Sequence, residues 1–208
     1  MKPTTIYLIR HGQTDENKNE VIQGWLDSTL NEHGRRQARA MAERFRAVRL
    51  DHIYTSPLDR AHETARILAS VCHATLAAED LLKEINMGAL TGLRGREVDE
   101  MRSHDFPHLG PQYFSPPGGE TTEELYERGK LVLQTVLARM RHKQVALVSH
   151  GGTISALVTA ALRMPPHARH GMGVHNTSIS KLTHVDGHWR LKLFNDHAHL
   201  ALIGEDTL

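Results

Sequence analysis

Cysteine is all but missing from this chain. Cys72 is the only one among 208 residues, so no intrachain disulfide can form and nothing calls for an oxidising compartment. Aromatic residues make up only 5%, which leaves the core to aliphatic side chains. Neither charge dominates, because 25 basic side chains stand against 24 acidic ones and leave a formal net charge of +1. With no uninterrupted basic block to neutralise a row of phosphates, nucleic acid is excluded as the expected partner. Long apolar runs are absent as well. Residues 6–9 are too few for the core of a secretory signal, and the later apolar stretch 154–162 cannot span a bilayer. A cytoplasmic protein without membrane association is expected. The 16 histidines are scattered, with no Cys/His cluster at a spacing that builds a metal site, so neither a metal nor another cofactor is expected. His197 and His199 alternate, which would put them on one face of a strand as ordinary polar positions.

What is present is a globular composition, 39% hydrophobic and 24% charged, and the length suits one compact domain over residues 1–208. β-Branched and aromatic residues over 4–9, between Pro3 and Gly12, predict a buried strand. From Asn31 onward Ala38, Met41, Ala42 and Phe45 recur at helical spacing, and Thr29 with Glu32 has the spacing of a capping box; this helix is expected to end near Val48. A short strand at 52–54 precedes Ser56-Pro57-Leu58-Asp59. These four read as the N-cap, first-turn proline and first-turn acid of a helix with Leu58, Ala61, Ala65 and Leu68 on one face. Residues 86–119, rich in glycine and proline, predict an irregular lid or substrate segment. Thr121 and Glu124 open a further helix along Leu125, Val132, Val136 and Met140. Residues 145–148 read as a buried strand and 152–162 as a small-residue helix, and strands at 178–185 and 189–194 flank an Asp186-Gly187 hairpin turn. Strands alternating with helices predict an α/β three-layer sandwich: a mostly parallel central sheet, helices on both faces, and the last hairpin added antiparallel.

In such a sheet ligands bind outside the carboxyl ends of the strands. The first strand ends in Arg10-His11-Gly12, and the strand at 145–148 runs into Ser149-His150-Gly151-Gly152. Arg60 falls in the first turn of the helix after the short strand, where backbone N–H groups and the helix dipole favour an anion. Either histidine alone would be read as satisfying strand-end hydrogen bonds. Two histidines, two arginines and a helix N-terminus together would destabilise one another unless something negative fills the space, and a phosphoryl group suits arginine forks best. A phosphoryl group is the expected ligand. No serine elbow, P-loop lysine or activated cysteine is visible, which leaves a neutral imidazole as nucleophile. A leaving alkoxide needs a proton donor, and Glu84, entering just before the glycine-rich segment, is one candidate among the acidic residues.

The run Leu8-Ile9-Arg10-His11-Gly12-Gln13-Thr14-Asp15-Glu16-Asn17, followed by Gln23-Gly24-Trp25, resembles the signature of the histidine phosphatase superfamily in its phosphoglycerate-mutase-like branch. Leu30-Asn31-Glu32-His33-Gly34, Thr55-Ser56-Pro57-Leu58-Asp59-Arg60-Ala61, Glu84-Ile85-Asn86-Met87-Gly88, Pro117-Gly118-Gly119-Glu120-Thr121 and Val148-Ser149-His150-Gly151-Gly152 resemble further family blocks in the family's order. The resemblance implies a phosphoglycerate-mutase-like fold. It also implies that His11 is the phosphorylated nucleophile, that Arg10, Arg60 and His150 hold the phosphoryl oxygens, and that Glu84 is the acid and then the base. Asn17 matches a phosphate-pocket asparagine, Gln23 and Gly24 match positions beside the substrate, and Gly151 is expected to supply a backbone N–H.

Phosphatase and mutase share the first transfer and differ in what attacks next. Cofactor-dependent mutases of this family carry a long insertion with a basic, tyrosine-containing run after the catalytic acid. Residues 93–117 here are shorter and lack that run, so a phosphomonoester hydrolase for small phosphorylated metabolites is expected, with phosphoglycerate mutase as the alternative. A non-catalytic phospho-ligand binder fits least, because His11 and Glu84 are both present. Oligomeric state, a homodimer included, stays open.

Overall fold

Parallel pairing with β4 (Gln144–Ser149) on one side and antiparallel pairing with β5 (Ile179–Val185) on the other puts β1 (Thr4–Arg10) in the middle of the sheet. The computed structural model describes residues 2–105 and 116–204. Its six-stranded sheet runs in the order β3-β2-β4-β1-β5-β6, where β2 is His52–Thr55, β3 Thr75–Ala78 and β6 His188–Asp196. The first four strands are parallel, and β5 and β6 form the antiparallel hairpin predicted around Asp186-Gly187. Both turn residues have positive φ, +52° and +79°, which suits an Asp-Gly hairpin turn.

Alternate side chains of the central strands enter opposite cores. Ile6, Leu8, Val145 and Leu147 pack on Val132 and Val136 of α5 (Thr122–Arg139) and on Ile154, Leu157 and Val158 of α6 (Gly151–Ala161). Tyr7, Ile9, Ala146 and Val148 pack on Met41 and Ala42 of α2 (Glu32–Glu43) and on Ala61, Ala65 and Leu68 of α3 (Asp59–Cys72), with Phe45 just beyond α2. Full burial of each large aliphatic side chain contributes about 1.5–3 kcal/mol. The three layers predicted from the alternation are therefore those of the structure. α5 begins with the expected capping box, Thr121 and Glu124 each bonding the other's backbone N–H.

Several local expectations change. α2 is capped by Asn31, whose side chain accepts from Gly34 N–H at 2.8 Å, not by Thr29, and it ends at Glu43 instead of near Val48. α3 starts at Asp59 with Leu58 at its N-cap and no side-chain cap; Ser56 lies two residues ahead, its Oγ accepting from Leu58 N–H at 3.3 Å and lying 2.8 Å from His150 Nε2. His197 and His199 lie beyond the end of β6 and on different sides: His199 is buried against the Thr177 hydroxyl at 3.0 Å, while His197 stacks on His175. The 86–119 segment is not irregular throughout, since it holds a 3-10 turn at Gly88–Leu90 and helix α4 (Gly95–Asp105); residues 106–115 of it lie outside the described residues.

The register carries the functional consequence. Arg10 pairs with Ser149 and Thr55 with Val148, so His11, His150 and Ser56 all follow directly at the carboxyl edge. Gly12 and Gly34 let the loop after β1 press on α2: a Cβ on Gly34 would stand 2.1 Å from the Gln13 carbonyl oxygen, and one on Gly12 2.5 Å from that of Gly34. This explains why a glycine follows each of His11 and His33.

Candidate active site

His11 leaves β1 with its backbone N–H donating to Ser149 O at 3.0 Å, and its carbonyl accepts from Thr177 N and from Asn176 Nδ2 at 2.9 Å. The ring is held through Nδ1, which lies 2.7 Å from Gly12 O. A carbonyl can only accept, so Nδ1 carries the proton and Nε2 keeps its lone pair. Burial first, then the Arg10 and Arg60 guanidinium groups, hold His11 well below the ordinary histidine pKa, against a smaller opposing effect of the Gly12 hydrogen bond. The imidazole is neutral, as a nucleophile must be.

His150 lies across from it, with ring centroids 5.1 Å apart, and is fully buried. Its Nε2 is 2.8 Å from Ser56 Oγ. Burial, followed by His11, Arg60 and Arg10, pushes its pKa well below the ordinary value. Arg10 and Arg60 converge on the same edge. Arg10 Nη1 donates to Val174 O at 2.5 Å. Arg60, 1% exposed, uses Nη1 and Nη2 on the carbonyls of Leu26 and Gly24 at 2.6 and 2.8 Å. These bonds orient both forks and leave a specific remainder: Arg10 Nε, Arg60 Nε and His150 Nδ1 are buried without a hydrogen-bond partner. Orphan buried nitrogens are rare. Three of them around one imidazole, two borne by cations, describe the outline of an anion.

A cavity of about 210 Å³ opens beside them, lined by Arg10, His11, Asn17, Gln23, Gly24, Arg60, Glu84 and Gly152, with Val21, Ile22, Ile85 and Met87 as its apolar wall. Asn17, in the short helix α1 (Asp15–Lys18), accepts on Oδ1 from Thr14 N and Asn176 Nδ2. That leaves its NH₂ for the cavity. Gln23 Oε1 is likewise tied down by Ser28 Oγ at 2.5 Å. Gly24 has φ +48° and no room for a side chain, since a Cβ would meet Met87 at 3.0 Å; its carbonyl serves Arg60. Gly151 opens α6 beside Arg10, whose Nε lies 3.7 Å from where a Cβ would be, an ordinary contact distance.

Glu84 comes from the segment between the 3-10 turns Asp80–Leu82 and Gly88–Leu90. Its Oε1 accepts from Ile85 N at 2.9 Å and Thr153 N at 3.1 Å, and Oε2 from Gly152 N at 3.2 Å. The carboxylate thus sits at the positive end of α6. All nine residues expected at the site come together at this edge of the sheet. Sequence reasoning gave no role at the site to Ser56, Gly152, Thr153 or Asn176. The second glycine of Gly151-Gly152 was a readable signal; the others carry none locally, because their partners are remote in sequence. Among the described residues, no three His, Cys, Asp or Glu side chains are grouped to hold a metal ion.

The fold and the site define a class: an α/β domain with a cationic, histidine-bearing pocket at the carboxyl edge of its sheet. The model of the histidine phosphatase superfamily (branch 1) matches residues 6–197, and the chain belongs to that superfamily. Phosphoglycerate mutase-like protein 4 of Arabidopsis thaliana is 34% identical over 205 residues, covering 96% of this chain and 88% of the relative. Among solved structures, mycobacterial glucosyl-3-phosphoglycerate phosphatase complexed with VO₃ superposes with a TM-score of 0.83 at 30% identity, over 92% of this chain and 98% of that one. A phosphoserine phosphatase mutant of Entamoeba histolytica in complex with phosphoserine gives 0.84 at 29% identity, over 95% and 99%.

Proposed function

We propose that the protein is a phosphomonoester hydrolase acting on small phosphorylated metabolites through a phosphohistidine. The observation that supports it is the set of orphaned nitrogens, Arg10 Nε, Arg60 Nε and His150 Nδ1, beside the free Nε2 of His11. In the first step His11 Nε2 attacks phosphorus, the P–N bond forms as the ester P–O bond breaks, and Glu84 gives its proton to the departing oxygen. In the second, Glu84 as carboxylate takes a proton from water whose oxygen attacks phosphorus; the P–N bond breaks, its electrons return to the imidazole, and inorganic phosphate leaves. Arg10, Arg60 and His150 donate to the equatorial oxygens, whose charge they are preorganised to meet. Asn17 adds its amide donor, Gln23 flanks the leaving group, and the Gly151 N–H faces the same anion.

Mutase activity is the second reading, favoured by the name of the plant relative. The shorter 93–117 stretch and the apolar wall of Val21, Ile22, Ile85 and Met87 support hydrolysis over return of phosphate to a polar intermediate. A cytoplasmic setting belongs to the same proposal and is supported by the single thiol; among the described residues, no helix is long and apolar enough to cross a membrane. The test is a panel of phosphorylated metabolites assayed for phosphate release, with 3-phosphoglycerate interconversion followed alongside. Phosphate release from several esters is expected. Interconversion outrunning release would make the enzyme a mutase, and neither activity would overturn the proposal.

A further inference from the structure

Glu84 needs its carboxyl group for the chemistry, yet no ladder or helix holds its backbone, because residues 83–87 lie between two short 3-10 turns. The carbonyls of such a segment require donors from elsewhere. Thr153 Oγ1 donates to Lys83 O at 2.7 Å, but one side chain binds two of these carbonyls and that of Leu81 just before them. Arg128, on α5, donates through Nη1 to Leu81 O at 2.8 Å and Lys83 O at 2.7 Å, and through Nη2 to Glu84 O at 3.2 Å. Its remaining N–H groups go to Glu120, Nε to Oε1 at 2.8 Å and Nη2 to Oε2 at 2.6 Å. All five guanidinium donors are spent. Glu120 also binds the far end of the segment: its N–H donates to Asn86 O at 2.8 Å, and its Oε2 accepts from Asn86 N at 3.4 Å. Both side chains are largely shielded, 14% and 15% exposed.

We propose that Arg128, oriented by Glu120, is the positioning residue that sets the Glu84 carboxyl group at the leaving-group oxygen. The proposal rests on the reading of Glu84 as proton donor given above. Glu84 is gripped from two sides: Gly152 and Thr153 hold the carboxylate, and Arg128 holds the peptide from which it hangs. The indole N–H of Trp25 adds a further donor to Glu84 O at 2.7 Å. The Glu120 carboxylate offsets the Arg128 charge, which still contributes, last among the causes, to the lowered His150 pKa; Arg128→Lys keeps that charge, so a loss in that variant is geometric. A lysine cannot replace it, having three donors on one nitrogen where five are spread over a planar fork.

The test compares kcat/KM for an alkyl phosphate, glycerol phosphate, with that for 4-nitrophenyl phosphate, whose leaving group departs without a proton. It uses Arg128→Lys, Arg128→Met and Glu84→Gln. Misplacing the acid should lower the alkyl value at least tenfold in Arg128→Lys while the aryl value and orthovanadate inhibition stay within about twofold. A general loss of structure would lower all three together. Equal losses on both esters, or an alkyl value within twofold of the parent, overturns the positioning role. Should Arg128→Met fail to fold, Arg128→Lys decides alone. Glu84→Gln must show the same selective loss. If it does and Arg128→Lys does not, only the positioning fails; if Glu84→Gln shows none, the reading of Glu84 fails and takes the proposal with it.

Discussion

Glu84 and Gly152 fit against each other without spare room. The Gly152 N–H donates to Glu84 Oε2 at 3.2 Å, and a Cβ on Gly152 would stand 2.7 Å from Oε1. The obstructed atom is the end of a flexible side chain, so Gly152→Ala should swing the carboxyl group aside at little cost to folding. A loss of at least tenfold in kcat on alkyl phosphates is expected, with a change in stability below about 1 kcal/mol by denaturant titration. Unchanged kcat would show that Glu84 acts from another position.

The Nδ1 contact of His11 with the Gly12 carbonyl at 2.7 Å leaves Nε2 as the attacking nitrogen. Incubation with a ³²P-labelled ester and quenching in alkali should trap a label on the protein that is stable to base and lost in acid. His11→Ala should abolish both the label and turnover. A label that persists in His11→Ala would place the nucleophile elsewhere.

Arg60 is buried among carbonyls yet keeps Nε free. Arg60→Ala should cost transition-state stabilisation on the order of 3–4 kcal/mol, as for loss of one preorganised donor, roughly 10²–10³ in kcat. Because the same side chain binds Leu26 and Gly24, the thermal midpoint should fall too. A loss confined to KM would argue that Arg60 binds substrate without favouring the transition state.

Acid should destabilise the protein through its buried histidines. Burial and neighbouring arginines depress His11 and His150, and burial together with Arg44 lowers His199 to about 4. Each is neutral when folded and takes up a proton near pH 6.5 when unfolded, so below that value the unfolded state binds more protons. Stability from these groups is fully present above about pH 6.5 and is lost as pH falls toward 4, with a slope of about 1.4 kcal/mol per pH unit for each histidine kept neutral. Urea titrations at several pH values should give a plateau above pH 7 and a decline below 6.5. His199→Gln should make that decline shallower.

Arg10, Arg60 and the start of α6 already supply the positive field that a metal would provide, and neutral His150 adds a hydrogen-bond donor. Hydrolysis should therefore proceed unchanged after dialysis against EDTA, measured as phosphate release. Activity lost to chelation and restored by a divalent ion would require a different electrostatic account.

Much of this was legible along the chain. The alternation of apolar residues determined the strands and the two helical layers, because burial on one face or both leaves a period in sequence. Strand ends rich in His, Arg and Gly marked the edge where a ligand binds, and the resemblance ordered those blocks into a site. β3 escaped notice because Thr75-Leu76-Ala77-Ala78 is half exposed at the sheet edge and leaves little contrast between its faces. Caps were misread where the helix begins two residues later than the hydroxyl that suggested it, at Asn31 instead of Thr29 and at Leu58 instead of Ser56.

Tertiary structure alone decided three things. Register placed His11 beside His150 although they are far apart in sequence. The dense use of Arg10 and Arg60 by backbone carbonyls determined which nitrogens stay free for an anion. The resemblance had singled out Glu84, and what only the closed chain supplies is its setting: α6 presents Gly152 and Thr153 N–H groups to the carboxylate while Arg128 gathers its backbone. Local propensity is written in neighbouring residues, whereas a site is made by directional bonds between remote ones, and those exist only once the chain has closed.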